Sequence, residues 1–284
     1  MPNTSPTLWE PVRPFSRALV VVAHPDDAEF GAAATIARWV ELGTSVRYVI
    51  ATDGASGSAD PAMTRERLID IRQREQRAAC ARLGVGDVVF LGYPDGYLQP
   101  SIEVRREVVV QIRRFQPEVV VGMDPTVRWT DWDFINHPDH RAIGDVVLHC
   151  INPAASTRLY DPTLTDEGLE PWDVAELWMT SFGQGPDRVD VTATFERKLA
   201  ALRAHASQLN GWDPESRMRA LAADKGADVG VELAEAFTVL RFRSLDDEGS
   251  EAIRDKPPTN PKPLRQPPAS PPADPPADPP ADPL

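Results

Sequence analysis

Cysteine is nearly absent: the chain has two, Cys80 and Cys150, among 284 residues. They form no paired motif, so a disulfide framework is not expected, and a reduced, cytoplasmic setting is. Long apolar runs are missing as well. No stretch approaches the roughly 18–20 residues that cross a bilayer. The opening MPNTSPTLWEPVRPFSR has no apolar segment of the kind a secretory leader carries. Positive charge is in the minority, with 30 Lys and Arg against 43 Asp and Glu and a net charge of −13. Such a surface repels phosphate backbones and anionic headgroups, so neither nucleic acid nor a membrane is an expected partner. Histidine is scarce too, at five residues, which makes their placement informative.

What is present divides the chain in three. Residues 1–16 read as an irregular lead-in, 17–245 as the folded domain, and 246–284 as a Pro-rich tail in which PPAD occurs three times. The tail has no apolar surface with which to build a core and is expected to be disordered, with polyproline II bias. Within the domain, apolar runs predict strands over 18–22, 45–52, 87–93, 118–123, 174–182 and 233–242. Helical patterning alternates with them over 28–42, 64–83, 101–115, 138–151 and 193–208. Ser101 is a candidate N-cap, and Pro138 suits a first helical turn. Apolar strands alternating with helices predict an α/β fold, a mostly parallel Rossmann-like sheet with helices on both faces. In such sheets ligands bind beyond the carboxyl ends of the strands.

Three of the five histidines fall in two short acidic motifs, HPDD at 24–27 and HPDH at 137–140. Each follows a strand region. His24 and Asp27 lie three residues apart on a strand-to-helix turn, and His140 starts a later helix. Two histidines and one carboxylate make a three-ligand set with an open position, the pattern of a catalytic zinc. Such an ion also makes adjacent Asp26 and Asp27 tolerable at a strand end. Asp26 is then a non-ligand carboxylate placed to act as a general base. His137, one turn from His140, is placed to stabilise an oxyanion or protonate a leaving amine, with Asp139 to orient it. Each residue also has a plainer reading: a satisfied turn histidine, an Asp N-cap, an ordinary Pro-Asp helix start. The coincidence of both motifs at the sheet edge favours the metal site.

These motifs resemble the PIG-L/LmbE-like family in A-H-P-D-D-x-E at 23–29 and H-P-D-H-R-A-x-G at 137–144. TDGASG (52–57), IRQREQ (71–76), FLGYPDGYL (90–98) and LRAHASQ (202–208) extend the resemblance over roughly 18–208. It implies a zinc-dependent de-N-acetylase of N-acetylglucosaminyl compounds. His24, Asp27 and His140 would then hold one zinc per chain, ferrous iron being the alternative, and Asp26 would be the base. His137 would be the general acid or oxyanion stabiliser, tuned by Asp139, and Arg72 and Asp95 would contact sugar hydroxyls. Glu29 would support the site from behind, and the HASQ helix would support the fold, leaving His205 outside the site. Trp129, Trp132 and Phe134, just before HPDH, are expected to pack their loop down rather than form a lid.

The expected function is therefore hydrolysis of an acyl group, acetyl above others, from an N-acylglucosaminyl small molecule by attack of metal-bound water. A homo-oligomer is compatible with this. Two alternatives stand beside it. One is an amidase of a bulkier glucosaminyl thiol conjugate. The other is a receiver-like signalling domain, whose acidic pair after the first strand binds magnesium; it leaves His24, His137 and His140 without a role.

Overall fold

The computed structural model describes residues 5–10, 13–130, 133–243 and 245; the Pro-rich segment 246–284 lies outside them. In chain order the elements are β1 (Thr7–Leu8), β2 (Arg17–Val22), α1 (Asp27–Gly31), α2 (Ala33–Glu41), β3 (Ser45–Thr52), α3 (Arg65–Leu83), β4 (Asp87–Tyr93), α4 (Ile102–Phe115) and β5 (Val119–Met123). Then follow α5 (Pro138–His149), α6 (Pro162–Asp166), β6 (Glu176–Thr180), β7 (Asp187–Asp190), α7 (Phe195–Leu202), α8 (Ala206–Leu209), α9 (Glu215–Ala227) and β8 (Ala234–Arg241).

The eight strands form one sheet in the order β1-β7-β8-β6-β5-β2-β3-β4. From β4 to β6 every pairing is parallel. β8 runs antiparallel to both β6 and β7. The chain winds outward from β2 to β4 on one side and from β5 to β6 on the other. β2 and β5 therefore flank the point where strand order reverses, and their carboxyl ends splay into a crevice. HPDD leaves β2 and HPDH follows the loop after β5, so topology alone brings the two motifs together.

Alternation along β2 builds the two core layers. Ala18, Val20 and Val22 pack with Trp39, Tyr48, Trp178 and Phe195 on one face. Leu19 and Val21 pack with Val108, Ile112, Ile143 and Val147 on the other. Helix starts follow local capping chemistry: the Thr64 hydroxyl accepts from the Arg67 N–H and the Ser101 hydroxyl from the Val104 N–H.

Several expectations need correction. The lead-in is not wholly irregular, because Thr7–Leu8 pairs with β7. Trp9 and Phe15 join Trp39 and Trp178 in an aromatic cluster with ring centroids 5.0–6.3 Å apart. The helix expected over 28–42 is two helices. The chain leaves helical geometry at Ala32 (φ −143°, ψ 1°), and α2 restarts because the Glu235 carboxylate accepts the N–H groups of Ala34 and Thr35 at 3.2 and 2.8 Å. The helix expected over 193–208 likewise divides into α7 and α8. β7 and α9 escaped the sequence reading. β7, Asp-Arg-Val-Asp, shows little apolar pattern; Asp187 accepts from Val239 N–H and Arg241, and Arg188 pairs with Asp228.

α5 lies flush on the exit of β5. A Cβ added at Gly144 would sit 2.5 Å from the Met123 carbonyl oxygen and 3.0 Å from Pro125. This close approach sets HPDH over the strand ends. Gly144→Ala is expected to destabilise the protein by about 2 kcal/mol, the scale of overpacking. For a domain of this size that lowers the thermal midpoint by roughly 4–8 °C. An unchanged midpoint in differential scanning fluorimetry would mean that α5 lifts off β5 without cost.

Candidate active site

His24, just beyond β2, is buried between carboxylates. Its Nδ1 lies 3.4 Å from Asp27 Oδ2. Its Nε2 lies 3.1 Å from Asp95 Oδ1 and 3.3 Å from Asp139 Oδ2. Burial pulls the His24 pKa down, but the charge of Asp27 and hydrogen bonds to Asp139, Asp27 and Asp95 push it up to about 12. Burial favours the neutral form of Asp27, yet the charges and hydrogen bonds of His140 and His24 hold its pKa well below the usual carboxylate range. Asp95 falls to about 2: burial opposes the shift, but the hydrogen bond and charge of His24 outweigh it. Without another cation, the imidazolium of His24 supplies the charge these carboxylates require.

The Asp27–His140 contact gives the sharpest test of metal fit. His140 Nδ1 meets Asn136 Oδ1 at 2.9 Å. The Asn136 amide is itself oriented, because its nitrogen donates to the Val127 carbonyl at 2.8 Å. His140 Nδ1 therefore carries a proton, and its Nε2 is the nitrogen that faces Asp27 Oδ1, at 3.1 Å. A proton on Nε2 or a metal ion between the two atoms satisfies that pair. The donor set, imidazole nitrogen and carboxylate oxygen, suits a divalent transition metal. His24, His137 and His140 can also each bring a nitrogen within 4.8 Å of the others.

His137 caps α5 with its ring: Nδ1 accepts from the Asp139 N–H at 3.2 Å. The proton of neutral His137 is therefore on Nε2. Burial and the charge of His24 lower its pKa, so the neutral form dominates. Asp139 is not chiefly this histidine's partner, as had been expected. It is fully buried, 3.9 Å from His137 Nδ1, and accepts from Gly96 N–H, Leu98 N–H and His24.

Asp26 occupies a left-handed backbone conformation, φ 100°. Burial raises its pKa to about 6 against the pull of the Arg72 charge. Arg72 is buried beneath it and donates to Asp26 Oδ2 at 3.2 Å, Pro25 O at 2.6 Å and Gly54 O at 2.9 Å. Gly54, at φ +65°, gives Arg72 room, since a Cβ there would lie 3.0 Å from the guanidinium. Arg72 and Asp95, the expected sugar contacts, are 4% and 5% exposed, with Arg72 against Asp26 and Asp95 against His24. Trp129 is not packed down either; its backbone bridges to Ile135 while its side chain is 69% exposed. Phe134 stands edge-on to Phe182, and Trp132 lies outside the described residues.

A buried polar chain behind Asp26 escaped residue-level reading. Gln76 Oε1 accepts the Asp26 N–H and Gln76 Nε2 donates to Glu29 Oε1, both at 3.0 Å. His205 Nε2 lies 3.4 Å from Glu29 Oε2. Burial opposes protonation of His205, but the hydrogen bond and charge of Glu29 raise its pKa. The available signal was spacing: Gln76 follows Arg72 by four residues and shares its helix face. Glu29 supports the site as expected, with His205 behind it.

A histidine–carboxylate cluster with room for a cation, at the switch point of a parallel α/β sheet, defines a metal-dependent hydrolase class. Residues 19–151 match the PIG-L family model, described as GlcNAc-PI de-N-acetylase. Diacetylchitobiose deacetylase of Thermococcus kodakarensis is 30% identical over 217 residues, 75% of this chain and 79% of that one. A probable N-acetyl-α-D-glucosaminyl L-malate deacetylase of Bacillus anthracis is 31% identical over 197 residues, 67% of this chain and 80% of that one. The solved structure of N,N'-diacetylchitobiose deacetylase from Pyrococcus horikoshii, complexed with an inhibitor, superposes with a TM-score of 0.73 at 28% identity, covering 84% of this chain and 89% of that one. The chain belongs to the PIG-L deacetylase family, which sets the receiver-like reading aside.

Gln76→Leu strands the Asp26 N–H and one Glu29 oxygen in the interior. It is expected to cost about 2–4 kcal/mol, the penalty of two unsatisfied buried groups. Urea unfolding reads it as a lower midpoint at unchanged slope. A parental midpoint would show that Gln76 is not required to satisfy them.

Proposed function

We propose that the protein removes an acyl group, acetyl above others, from an N-acylglucosaminyl small molecule. His24 Nδ1, Asp27 and His140 Nε2 hold one divalent cation, zinc in the first instance. The observation that carries the reading is the convergence of the Asp27 carboxylate on His140 Nε2 and His24 Nδ1, at 3.1 and 3.4 Å, at the strand ends. We prefer Asp27 to His137 as the third ligand because its two oxygens face His140 and His24. The ion supplies Lewis acidity, lowering the pKa of water and polarising the amide carbonyl.

The chain's own residues do the rest. Asp95 and Asp139 take the Nε2 proton of His24, fix its tautomer and aim Nδ1 at Asp27; carboxylates behind a metal-ligating histidine do this commonly. Asp26 takes the proton of the attacking water and passes it to the leaving amine. Its raised pKa, to about 6, makes the second transfer accessible, and Arg72 holds the carboxylate in place meanwhile. Neutral His137 donates a hydrogen bond from Nε2 to the developing oxyanion. Protonated, the same ring could instead serve as general acid to the leaving amine. Asp26 and His137 thus divide the work between two elements, the β2 exit and the start of α5.

The direct test is acetate release from a panel of N-acetylglucosaminides, with elemental analysis of the same preparation. Asp27→Asn is expected to lose metal. Asp26→Asn is expected to keep it and lose roughly 10²–10⁴-fold in turnover, the usual contribution of a general base. Near-parental turnover in metal-loaded Asp26→Asn would end the proposed role.

His24 has carboxylates against both ring nitrogens, so it holds two protons in the ion-free protein. Loading a cation at Nδ1 should expel at least one proton near pH 7. Calorimetric zinc titrations in buffers of different ionisation enthalpy count it. No release would remove His24 from the ligand set.

A further inference from the structure

A cavity of about 630 Å³ opens onto Asp27 and His140 and reaches α1, the ends of β5 and β6, and α9. Its size suits a small-molecule site, and one part of its wall is apolar. Phe30, Phe134, Trp212 and Leu221 line it while remaining 37%, 48%, 43% and 41% exposed. Met218, Leu221 and Ala222 present one face of α9 to the same space. Large apolar side chains left open around one concavity mark a binding surface.

Several polar groups at its edge are already committed. Lys198 Nζ donates to Glu235 Oε1 at 2.7 Å and to Phe30 O at 2.8 Å. Asp124 Oδ1 accepts from Thr126 N–H and hydroxyl. The Thr180 hydroxyl donates to the Gly122 carbonyl. An apolar group entering here would cover the exposed hydrocarbon of Phe30, Phe134, Trp212 and Leu221.

We propose that this cavity takes an apolar alkyl or aryl group carried by the substrate. The preferred substrate is then an N-acetylglucosaminyl compound with a hydrophobic aglycone larger than methyl. The inference rests on the proposed deacylation at the adjoining site.

Two substrate series separate the sides. One lengthens the acyl group of glucosamine from acetyl to hexanoyl; the other lengthens the aglycone of N-acetylglucosamine from methyl to hexyl. A buried methylene contributes roughly three- to fourfold, so kcat/KM should rise by at least about tenfold along the aglycone series and not along the acyl series. In Leu221→Glu the aglycone ratio should fall towards one. A flat or falling response along the aglycone series overturns the proposal, as does a ratio untouched by Leu221→Glu.

Acetate release from the short substrates, with no gain along either series, would leave the deacylation reading intact and remove only this inference. If no substrate is cleaved, calorimetry on the metal-loaded protein still decides. Hexyl glucoside should bind at least about tenfold more tightly than methyl glucoside; equal affinity overturns the cavity assignment.

Discussion

Surplus negative charge at the carboxyl ends of β2 and β5 is the constraint on which the site depends. Asp27, Asp95 and Asp139 meet one imidazole at 3.1–3.4 Å, and Asp26 stands beside them. Buried carboxylates are costly unless paired and hydrogen-bonded. Here the compensation comes from His24, from Arg72, and from N–H groups of the loops after β3 and β4: Ser56 to Asp95, Gly96 and Leu98 to Asp139. The three loops that leave β2, β3 and β4 are thereby tied together beneath the reacting face. The proposed cation at Asp27 and His140 would complete an electrostatic arrangement that the backbone has already built.

The rest of the fold holds this arrangement at a distance. Glu235 on β8 caps α2 and pairs with Lys198 on α7, joining the antiparallel edge of the sheet to the helices behind HPDD. The Lys198 ammonium also takes the Phe30 carbonyl at the end of α1. The segment carrying Asp26 and Asp27 is thus anchored by residues about 170 and 200 positions away along the chain.

Much of this was legible in the sequence, for identifiable reasons. Uninterrupted apolar runs made β2 to β5 plain, and β3 and β4 begin and end where the pattern does. HPDD and HPDH were readable because a strand-to-helix turn fixes which side chains converge. What stayed hidden depended on partners remote in sequence. The break at Ala32 needs the Glu235 carboxylate, and β7 is stable as a polar strand only because Arg241 and Asp228 meet its charges. Asp95, Asp139 and Arg72 were recognised as site residues, but which group each faces is a matter of side-chain direction. Spacing does not give that, so the pairing of Asp95 and Asp139 with His24 and of Arg72 with Asp26 was not foreseen.

The backbone of Asp26 narrows what can stand at that position. At φ 100°, a β-branched or bulky side chain is strained, while Gly, Asn and Asp are the tolerated choices. Proton transfer, in turn, admits Asp or Glu. The two sets share one member. If Asp26 carries the proton as proposed, Asn there keeps the backbone conformation and loses the acid, whereas Glu keeps the acid at some backbone cost; the turn that builds the site thus also limits which proton carrier can occupy it.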